Sequence, residues 1–494
     1  MVTTMKKLST TLLIIFILTF YSGFSQVKFD DFFIDKTFRI DYLHIGDAKT
    51  ESIVFDKAYE YGTWAGNTKN LIDNFNNGRY YCKVYDISSG TLIFSKGYDT
   101  YFGEYKTTTP AINRQTKVYH ETVLIPVPKN KIKFTIEWRN ISQKFVQIYQ
   151  IEIDPTDINI NRDNIIDKSV RVYKSHVSGN PHDKVDVVII SEGYDSNDDM
   201  KFLEDMKRFT EVFFSQEPYK TNQDKFNIYG IYKPSEESGI DIPQSKIYKK
   251  TTVSATFNSL GSDRYLLTED NKTLRDVAAF APYDAIYIMV NTSKYGGGGI
   301  YNQFATFVNN NVWNEYVFLH EFGHAFAGLG DEYYTSDVSY NDFYPKGIEP
   351  TEPNLTALLN KDELKWKEYI TPGIDLPSLW EKSEYEKMDK EWGAERVKLL
   401  KNISDLKSAS ASETQIKSAE QEYQTAEKKR NDNLDKFFKV SKYYGKVGAY
   451  EGGGYTSQGI YRPMVDCIMF SKGKKPYCKV CENAILNMIK FYTE

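Results

Sequence analysis

The chain has 494 residues, of which 41% are hydrophobic and 26% charged, and its formal net charge is −5 at pH 7. This length exceeds that of an ordinary single domain, so two or three domains are expected. The small acidic excess comes without a basic run or a nucleic-acid-binding motif, which argues against a nucleic acid partner.

The first 25 residues have the pattern of a secretory signal peptide. Lys6 and Lys7 supply positive charge, residues 8–20 form a mainly apolar run, and Ser-Gly-Phe-Ser at 22–25 contains small residues that suit cleavage. No other apolar run approaches the ~18 residues that span a membrane. We therefore predict an exported chain, secreted, periplasmic or at the cell surface, without a stable membrane span after cleavage. A retained N-terminal anchor is the alternative.

Residues 26–165 are predicted to form an all-β, sandwich-like domain. Segments rich in alternating, β-branched or aromatic residues recur between turn signals, for example at 79–86, 91–94, 121–127 and 131–138. Strands at this spacing are typical of an antiparallel sandwich. The region has no catalytic cluster, so a structural or substrate-presenting role is expected. Binding of glycan or protein through exposed aromatic residues is the alternative.

Residues 166–494 have a different pattern, typical of a mixed α/β sheet. A buried strand is predicted at 185–190, an amphipathic helix at 198–216, and further strands at 226–232 and 284–291. Four glycines at 296–299 then predict a loop that leads into an edge strand at 303–307. A glycine-rich edge lets another backbone approach, so an extended peptide could pair with it.

The motif H-E-x-x-H at 320–324 has the residue types and spacing of a catalytic zinc site. On a helix, His320 and His324 project from one face, close enough for both imidazoles to bind one Zn²⁺. Glu321 can reach a water molecule beside the metal without binding the metal itself, which suits a general base. Apolar residues around the motif predict a buried helix and a dry site.

A catalytic zinc site usually has three protein ligands. Asp331 is the predicted third ligand, because Gly328 and Gly330 would let the helix end and the chain turn back towards the metal. Glu332 is the alternative third ligand.

Residues 380–440 are rich in Glu, Lys, Ala, Gln and Ser, without glycine or proline after Gly393. We predict two helices, at about 381–408 and 411–440, that form a charged hairpin inserted in the 166–494 domain. A structural arm is the favoured role, and a partner-docking arm is the alternative. A last amphipathic helix is predicted at about 478–492.

Three of the four cysteines lie close together near the C-terminus: Cys467, Cys478 and Cys481. In an oxidising compartment, a disulfide among these three is plausible. The C-x-x-C at 478–481 could serve redox or zinc chemistry. Because the chain has no second C-x-x-C and no βαβ setting for this one, structural pairing or free thiols are favoured.

Several motifs together resemble a known family of peptidases. H-E-x-x-H with a later C-I-M turn is similar to the metzincin zinc endopeptidases, although Ala327 and Gly330 stand where metzincins have glycine and histidine. The pattern H-E-x-x-H-x-x-x-G-x-x-D-E-Y resembles the secreted bacterial IgA-peptidase family instead. The family resemblance extends to D-V-V-I-x-S-E-G-Y at 186–194, E-S-G-x-D-x-P at 237–243, E-G-G-G-Y at 451–455 and Y-C-x-V-C at 477–481.

The resemblance implies an α+β chain with a zincin-type, metzincin-like catalytic domain and one catalytic Zn²⁺. It implies that His320, His324 and Asp331 bind the metal, that Glu321 is the general base, and that Met469 is the Met-turn residue beneath the metal. Met464 is the alternative for that last role. The sequence also offers Tyr461 and Arg462 as candidate oxyanion stabilisers.

We therefore predict a zinc-dependent endopeptidase that hydrolyses extracellular proteins or peptides. A non-catalytic surface binding protein and a zinc amidase acting on cell-wall peptides are the alternatives. The natural substrate does not follow from the resemblance, so cleavage of IgA is not implied.

Overall fold

The computed structural model describes residues 27–334, 344–409 and 411–494. The predicted signal peptide at 1–25 lies outside the described residues and stays a prediction. Among the described residues, no helix combines the length and apolar character needed to cross a membrane.

The N-terminal region is β-rich, as predicted. Its two antiparallel sheets have the strand orders β2-β1-β5 and β4-β3-β6-β7, and apolar side chains from both sheets share one hydrophobic core. The strands are β1 (Phe33–Gly46), β2 (Glu51–Tyr61), β3 (Tyr80–Asp86), β4 (Leu92–Tyr98), β5 (Lys117–Pro128), β6 (Ile132–Arg139) and β7 (Phe145–Ile153). The region also contains three short helices that the sequence analysis missed: α1 (Phe29–Phe32), α2 (Tyr101–Tyr105) and α3 (Thr109–Ile112).

A six-stranded mixed sheet follows, which confirms the predicted sheet type. Its order is β12-β13-β11-β9-β10-β8; the four inner strands are parallel, and both edge strands are antiparallel to their neighbours. The strands are β8 (Arg171–Val177), β9 (Val185–Glu192), β10 (Phe226–Tyr232), β11 (Ala285–Val290), β12 (Gly297–Ile300) and β13 (Phe304–Val308). Strands β9 and β10 are buried along their whole length, as expected for inner parallel strands with both faces covered.

Three helices pack on this sheet: α4 (Asp199–Ser215), α5 (Asn271–Ala278) and α6 (Asn314–Ala327). Alternate residues of β9 point to opposite faces, so its odd-numbered side chains join the core of α4 and α6 and its even-numbered side chains join that of α5. The periodic α4 residues Phe202, Met206, Phe209 and Phe213 are all buried, which confirms the predicted amphipathic helix.

The glycine-rich segment differs from the prediction. Residues 297–300 are themselves the edge strand β12, and the segment predicted to be the edge is β13, one strand further in. Helix α6 packs against β12 so closely that a Cβ on Gly297 would lie 2.5 Å from a Val317 methyl carbon. Glycine is needed here because the strand touches the helix with its backbone.

The remaining chain contains α7 (Lys382–Ser408), α8 (Glu413–Val440), β14 (Tyr450–Gly453), β15 (Thr456–Arg462) and α9 (Lys479–Thr493). Helices α7 and α8 start and end within two residues of the predicted hairpin, and α9 within one residue of the predicted last helix. Ser412 and Gln415 form a capping box at the start of α8. The hairpin is anchored beside α6, since Trp313 Nε1 donates to Glu427 Oε2 of α8 at 2.7 Å.

Candidate metal centre and active-site cleft

Helix α6 presents the H-E-x-x-H motif and ends immediately after it. Gly328 has a φ of +62°, and the N–H groups of Gly328 and Leu329 donate to the carbonyls of His324 and Gly323, which closes the helix end. Gly330 was predicted to allow a sharp turn through a positive φ, but its φ is not positive. Its missing side chain leaves room for Leu355, whose Cδ1 would lie 2.6 Å from an added Cβ.

The chain that follows α6 brings Asp331 to the two histidines. The Nε2 atoms of His320 and His324 are 3.0 Å apart, and Asp331 Oδ1 lies 3.0 Å from the first and 3.2 Å from the second. All three side chains are at most 15% exposed. The structure therefore places the three predicted ligands together in one buried triad.

The donor set of the triad fits a zinc ion. A tetrahedral ion with bonds of ~2.0–2.1 Å holds its ligand atoms about 3.3 Å apart. Asp331 Oδ1 is buried close to both Nε2 atoms, but neither contact has good hydrogen-bond geometry. The two Nε2 atoms are within hydrogen-bond distance of each other, but a neutral ring with its proton on Nδ1 has only a lone pair on Nε2. With both rings in that tautomer, the two lone pairs and the carboxylate oxygen repel one another, and a shared cation removes that repulsion.

Backbone carbonyls hold both imidazoles in the orientation that metal binding needs. His320 Nδ1 lies 3.1 Å from the carbonyl oxygen of Ile468, and His324 Nδ1 lies 2.5 Å from that of Leu329. Each carbonyl accepts a hydrogen bond from Nδ1, which leaves the lone pair of the neutral ring on Nε2.

The electrostatics of the triad favour positive charge at its centre. Burial opposes ionisation of Asp331, but the two histidines hold the pKa of its carboxyl well below the usual range. Burial likewise opposes a charge on His324, but without a bound cation the Asp331 carboxylate raises the pKa of that imidazole to about 9, so metal binding at neutral pH displaces a proton from the ring.

Glu321 lies next to the triad and against the edge strand. Its side chain is half-buried, and its Oε2 is 3.3 Å from the point where a Cβ on Gly299 would be. Burial raises the pKa of the Glu321 carboxyl, while the neighbouring histidines partly oppose that rise. The carboxylate is thus beside the triad and is not part of it.

Met469 lies beneath α6. Its Sδ would be 3.1 Å from a Cβ on Gly323, the helix residue between the two histidines, and its side chain is fully buried. It belongs to a tight turn in which the Phe470 N–H donates to the Cys467 carbonyl at 2.9 Å. Met464, the alternative, is only half-buried.

Glu332 was the alternative third ligand, but its side chain points away from the triad. Its Oε1 is 3.1 Å from Cys481 Sγ and 3.8 Å from Cys478 Sγ. All four cysteines of the chain are free and buried, so the structure has free thiols, one of the two alternatives that the sequence left open. The thiols nevertheless form a cluster that the spacing alone did not predict.

The triad opens into a cleft of about 740 Å³ built from three separate parts of the chain. The N-terminal region contributes Arg79, Asp99 and Glu104, β12 contributes Gly297 and Gly299, and the helical hairpin contributes residues such as Trp392 and Arg396. The hairpin therefore does more than form the structural arm favoured from sequence, because it forms one wall of the cleft.

Tyr461 and Arg462, the two candidate oxyanion stabilisers from the sequence, are not among the residues that line this cleft. Arg462 is fully buried between the rings of Trp380 and Phe470, and its guanidinium donates to backbone carbonyls, including that of Gly452 at 2.7 Å. This arginine holds the β14–β15 hairpin in place.

Comparison with known families agrees with the geometry. Residues 174–489 match the family model described as IgA peptidase M64, and residues 28–150 match the one described as the peptidase M64 N-terminus. The chain belongs to the IgA peptidase M64 family. The family resemblance predicted from sequence is confirmed, whereas no curated protein matches the chain. Membership makes the chain a peptidase, a hydrolase of peptide bonds whose substrate is a protein or peptide.

One residue of this M64 peptidase's site was not predicted from sequence. Tyr455 Oη donates a hydrogen bond to Asp331 Oδ2, the carboxylate oxygen that faces away from the histidines. Its backbone is held in place as well, because the Gly454 and Tyr455 N–H groups donate to the carbonyls of Asp331 and Tyr333. The aromatic residue that ends the E-G-G-G-Y stretch, after three glycines that free the backbone, was the available signal.

Proposed function

We propose that this peptidase is an exported, zinc-dependent endopeptidase that cleaves extracellular proteins or peptides. The observation that carries the proposal is the buried triad of His320 Nε2, His324 Nε2 and Asp331 Oδ1, with Glu321 beside it in one cleft. Export rests on the signal-peptide pattern at 1–25.

In this proposal His320, His324 and Asp331 hold one catalytic Zn²⁺, and Met469 packs beneath it. When bound, the zinc ion polarises the scissile carbonyl and lowers the pKa of the attacking water towards ~7. The carbonyls of Ile468 and Leu329 keep the two imidazoles in the metal-binding tautomer throughout.

Glu321 moves the proton that the reaction requires. Its carboxylate accepts the proton of the water that attacks the scissile carbonyl, and then donates that proton to the nitrogen of the departing amine. The half-buried position of Glu321, against β12 and beside the ligands, suits both transfers because the residue lines the cleft and is partly shielded from solvent.

The edge strand supports an extended peptide as the substrate. At Gly297 the outer edge is already occupied, because Leu266 N–H donates to the Gly297 carbonyl at 3.2 Å. Gly299 lines the cleft further along, where an added Cβ would lie 2.6 Å from the Glu321 carbonyl oxygen. A peptide that pairs with the strand at Gly299 would place its backbone next to Glu321.

Replacing Tyr455 by phenylalanine tests the support of the third ligand. Loss of the hydrogen bond to Asp331 Oδ2 is expected to weaken zinc binding by ~10–100-fold, as for other outer partners of metal ligands. Zinc affinity is measured by competition with a chromophoric chelator. Tyr461→Phe is the matched control, because it removes a phenol outside the cleft and should leave the affinity unchanged. Equal affinities in both variants would contradict this role.

A substrate screen separates the peptidase from the zinc-amidase alternative. The full chain without residues 1–25 is incubated with unfolded proteins, immunoglobulins and cell-wall muropeptides, with and without chelator. We expect chelator-sensitive cleavage within polypeptide chains and none of the muropeptides. Hydrolysis of muropeptides alone would overturn the proposed substrate class.

A further inference from the structure

A second cluster of metal-binding side chains lies behind the catalytic triad. Glu332, Cys467, Cys478 and Cys481 each offer one ligand atom, and these four atoms all lie within 4.8 Å of one another. Each of the four residues is at most 3% exposed. They come from three places: the segment after α6, the turn that contains Met469, and the start of α9.

The spacing of the ligand atoms fits a tetrahedral thiolate site. Zinc–sulfur bonds of ~2.3 Å place two sulfur ligands about 3.8 Å apart in a tetrahedron. Cys467 Sγ and Cys481 Sγ are 4.0 Å apart, and Glu332 Oε1 lies 3.1 Å from Cys481 Sγ and 3.8 Å from Cys478 Sγ. A disulfide bond would need its two sulfurs about 2.05 Å apart, and it would leave the third thiol and the carboxylate without a partner.

Several polar groups around the cluster are directed at its ligand atoms. Backbone N–H groups point at the sulfurs, since Cys478 N lies 3.1 Å and Met469 N 3.5 Å from Cys467 Sγ. The Asn354 amide donates to Glu332 Oε1 at 3.1 Å, whereas Glu332 Oε2 is buried without a partner. A buried carboxylate that has three thiols beside one oxygen and no partner for its other oxygen is costly when ionised unless a cation binds nearby.

The charge balance also favours a bound cation. Three thiolates and one carboxylate carry four negative charges, of which a divalent ion neutralises two. The buried guanidinium of Arg462 interacts electrostatically with Glu332, so its positive charge compensates part of the two remaining negative charges. Soft thiolate ligands select zinc over calcium or magnesium, and C-x-x-C is a common spacing in structural zinc sites.

We propose that Glu332, Cys467, Cys478 and Cys481 bind a second, structural zinc ion. All four positions are filled by protein, so the site has no open position for catalysis. As the ion binds, each thiol loses its proton to solvent and forms a sulfur–zinc bond, with no change in oxidation state. The site is independent of the catalytic metal, although it shares two segments of the chain with it.

Those shared segments give the second ion a function. Glu332 follows the catalytic ligand Asp331 directly, and its N–H donates to the Met469 carbonyl at 2.8 Å. Cys467 precedes Ile468, whose carbonyl orients His320. An ion that fixes Glu332 and Cys467 therefore fixes the segments on both sides of the catalytic triad, and it fastens α9 to them.

Metal content of four forms of the full chain tests the proposal. The unmodified protein should contain two zinc ions per chain, and His320→Ala/His324→Ala should retain one. Cys478→Ser/Cys481→Ser should lose one, whereas the control Cys82→Ala, which removes a buried thiol in the N-terminal core, should keep two. One ion in the unmodified protein and none in the histidine variant would overturn the proposal, whatever their activities.

A second measurement does not depend on folding of the cysteine variant. The histidine variant, with its four cysteines intact, is loaded with Co²⁺ and its absorption recorded in the near ultraviolet. Thiolate-to-cobalt charge-transfer bands, lost on addition of an organomercurial, support the site. Absence of these bands, or an intact mass lower by two hydrogens that reveals a disulfide, would overturn it.

Discussion

Glu321→Gln is expected to abolish nearly all hydrolysis while the protein keeps its zinc. The amide has almost the shape of the carboxylate but cannot accept the proton of the attacking water, and general acid–base groups contribute ~10²–10⁴-fold to rate. We therefore expect kcat to fall by about 10³-fold or more. Zinc content should not change, because Glu321 is beside the ligands rather than among them. The measurement is kcat on a cleaved protein substrate together with metal content.

A matched control separates this effect from a general loss of charge in the cleft. Glu104 also lines the cleft but belongs to the N-terminal region, so Glu104→Gln should alter KM more than kcat. Full activity of Glu321→Gln would show that Glu321 is not the general base. Loss of zinc in that variant would show instead that the carboxylate is a ligand.

Asp331→Ala is expected to remove the catalytic zinc and, with it, hydrolysis. Asp331 supplies the only carboxylate oxygen of the triad, at 3.0 and 3.2 Å from the two imidazole nitrogens. Direct loss of a ligand should cost more affinity than the ~10–100-fold attributed to outer partners. The measurement is the free zinc concentration that restores half of the activity to the chelated protein.

Glu332→Ala is the informative comparison for Asp331→Ala. Both variants remove a buried carboxylate, and the two residues are adjacent, but only Asp331 faces the histidines. Glu332→Ala should therefore need far less zinc to recover activity than Asp331→Ala. If the Glu332→Ala protein still retains the zinc ion bound by the three cysteines, the same zinc requirement in both variants would contradict the assignment of Asp331 as the third ligand.

The sequence predicted best those features that depend on local pattern. The four periodic apolar residues of α4 specified a buried helix face, and the absence of glycine and proline after Gly393 located the long hairpin. The spacing of H-E-x-x-H suffices to bring two imidazoles together on any regular helix. Each of these inferences needs only the geometry of a single element.

The features that were missed depend on contacts between distant parts of the chain. Strand β12 was taken for a loop because three of its four residues are glycines, which have no side-chain pattern to alternate. The cysteine–glutamate cluster joins Glu332 to Cys481, 149 residues later, so local spacing could not reveal it. Arg462 was a candidate for the cleft because a guanidinium can stabilise an oxyanion, but buried carbonyls and aromatic rings surround it.

The most direct test of the zinc mechanism is hydrolysis by the protein before chelation, after complete removal of zinc, and after zinc is returned. The triad of His320, His324 and Asp331 predicts that activity disappears with the metal and recovers with it, while Glu321→Gln stays inactive at every stage. Hydrolysis that persists in protein shown by elemental analysis to contain no metal would contradict the account.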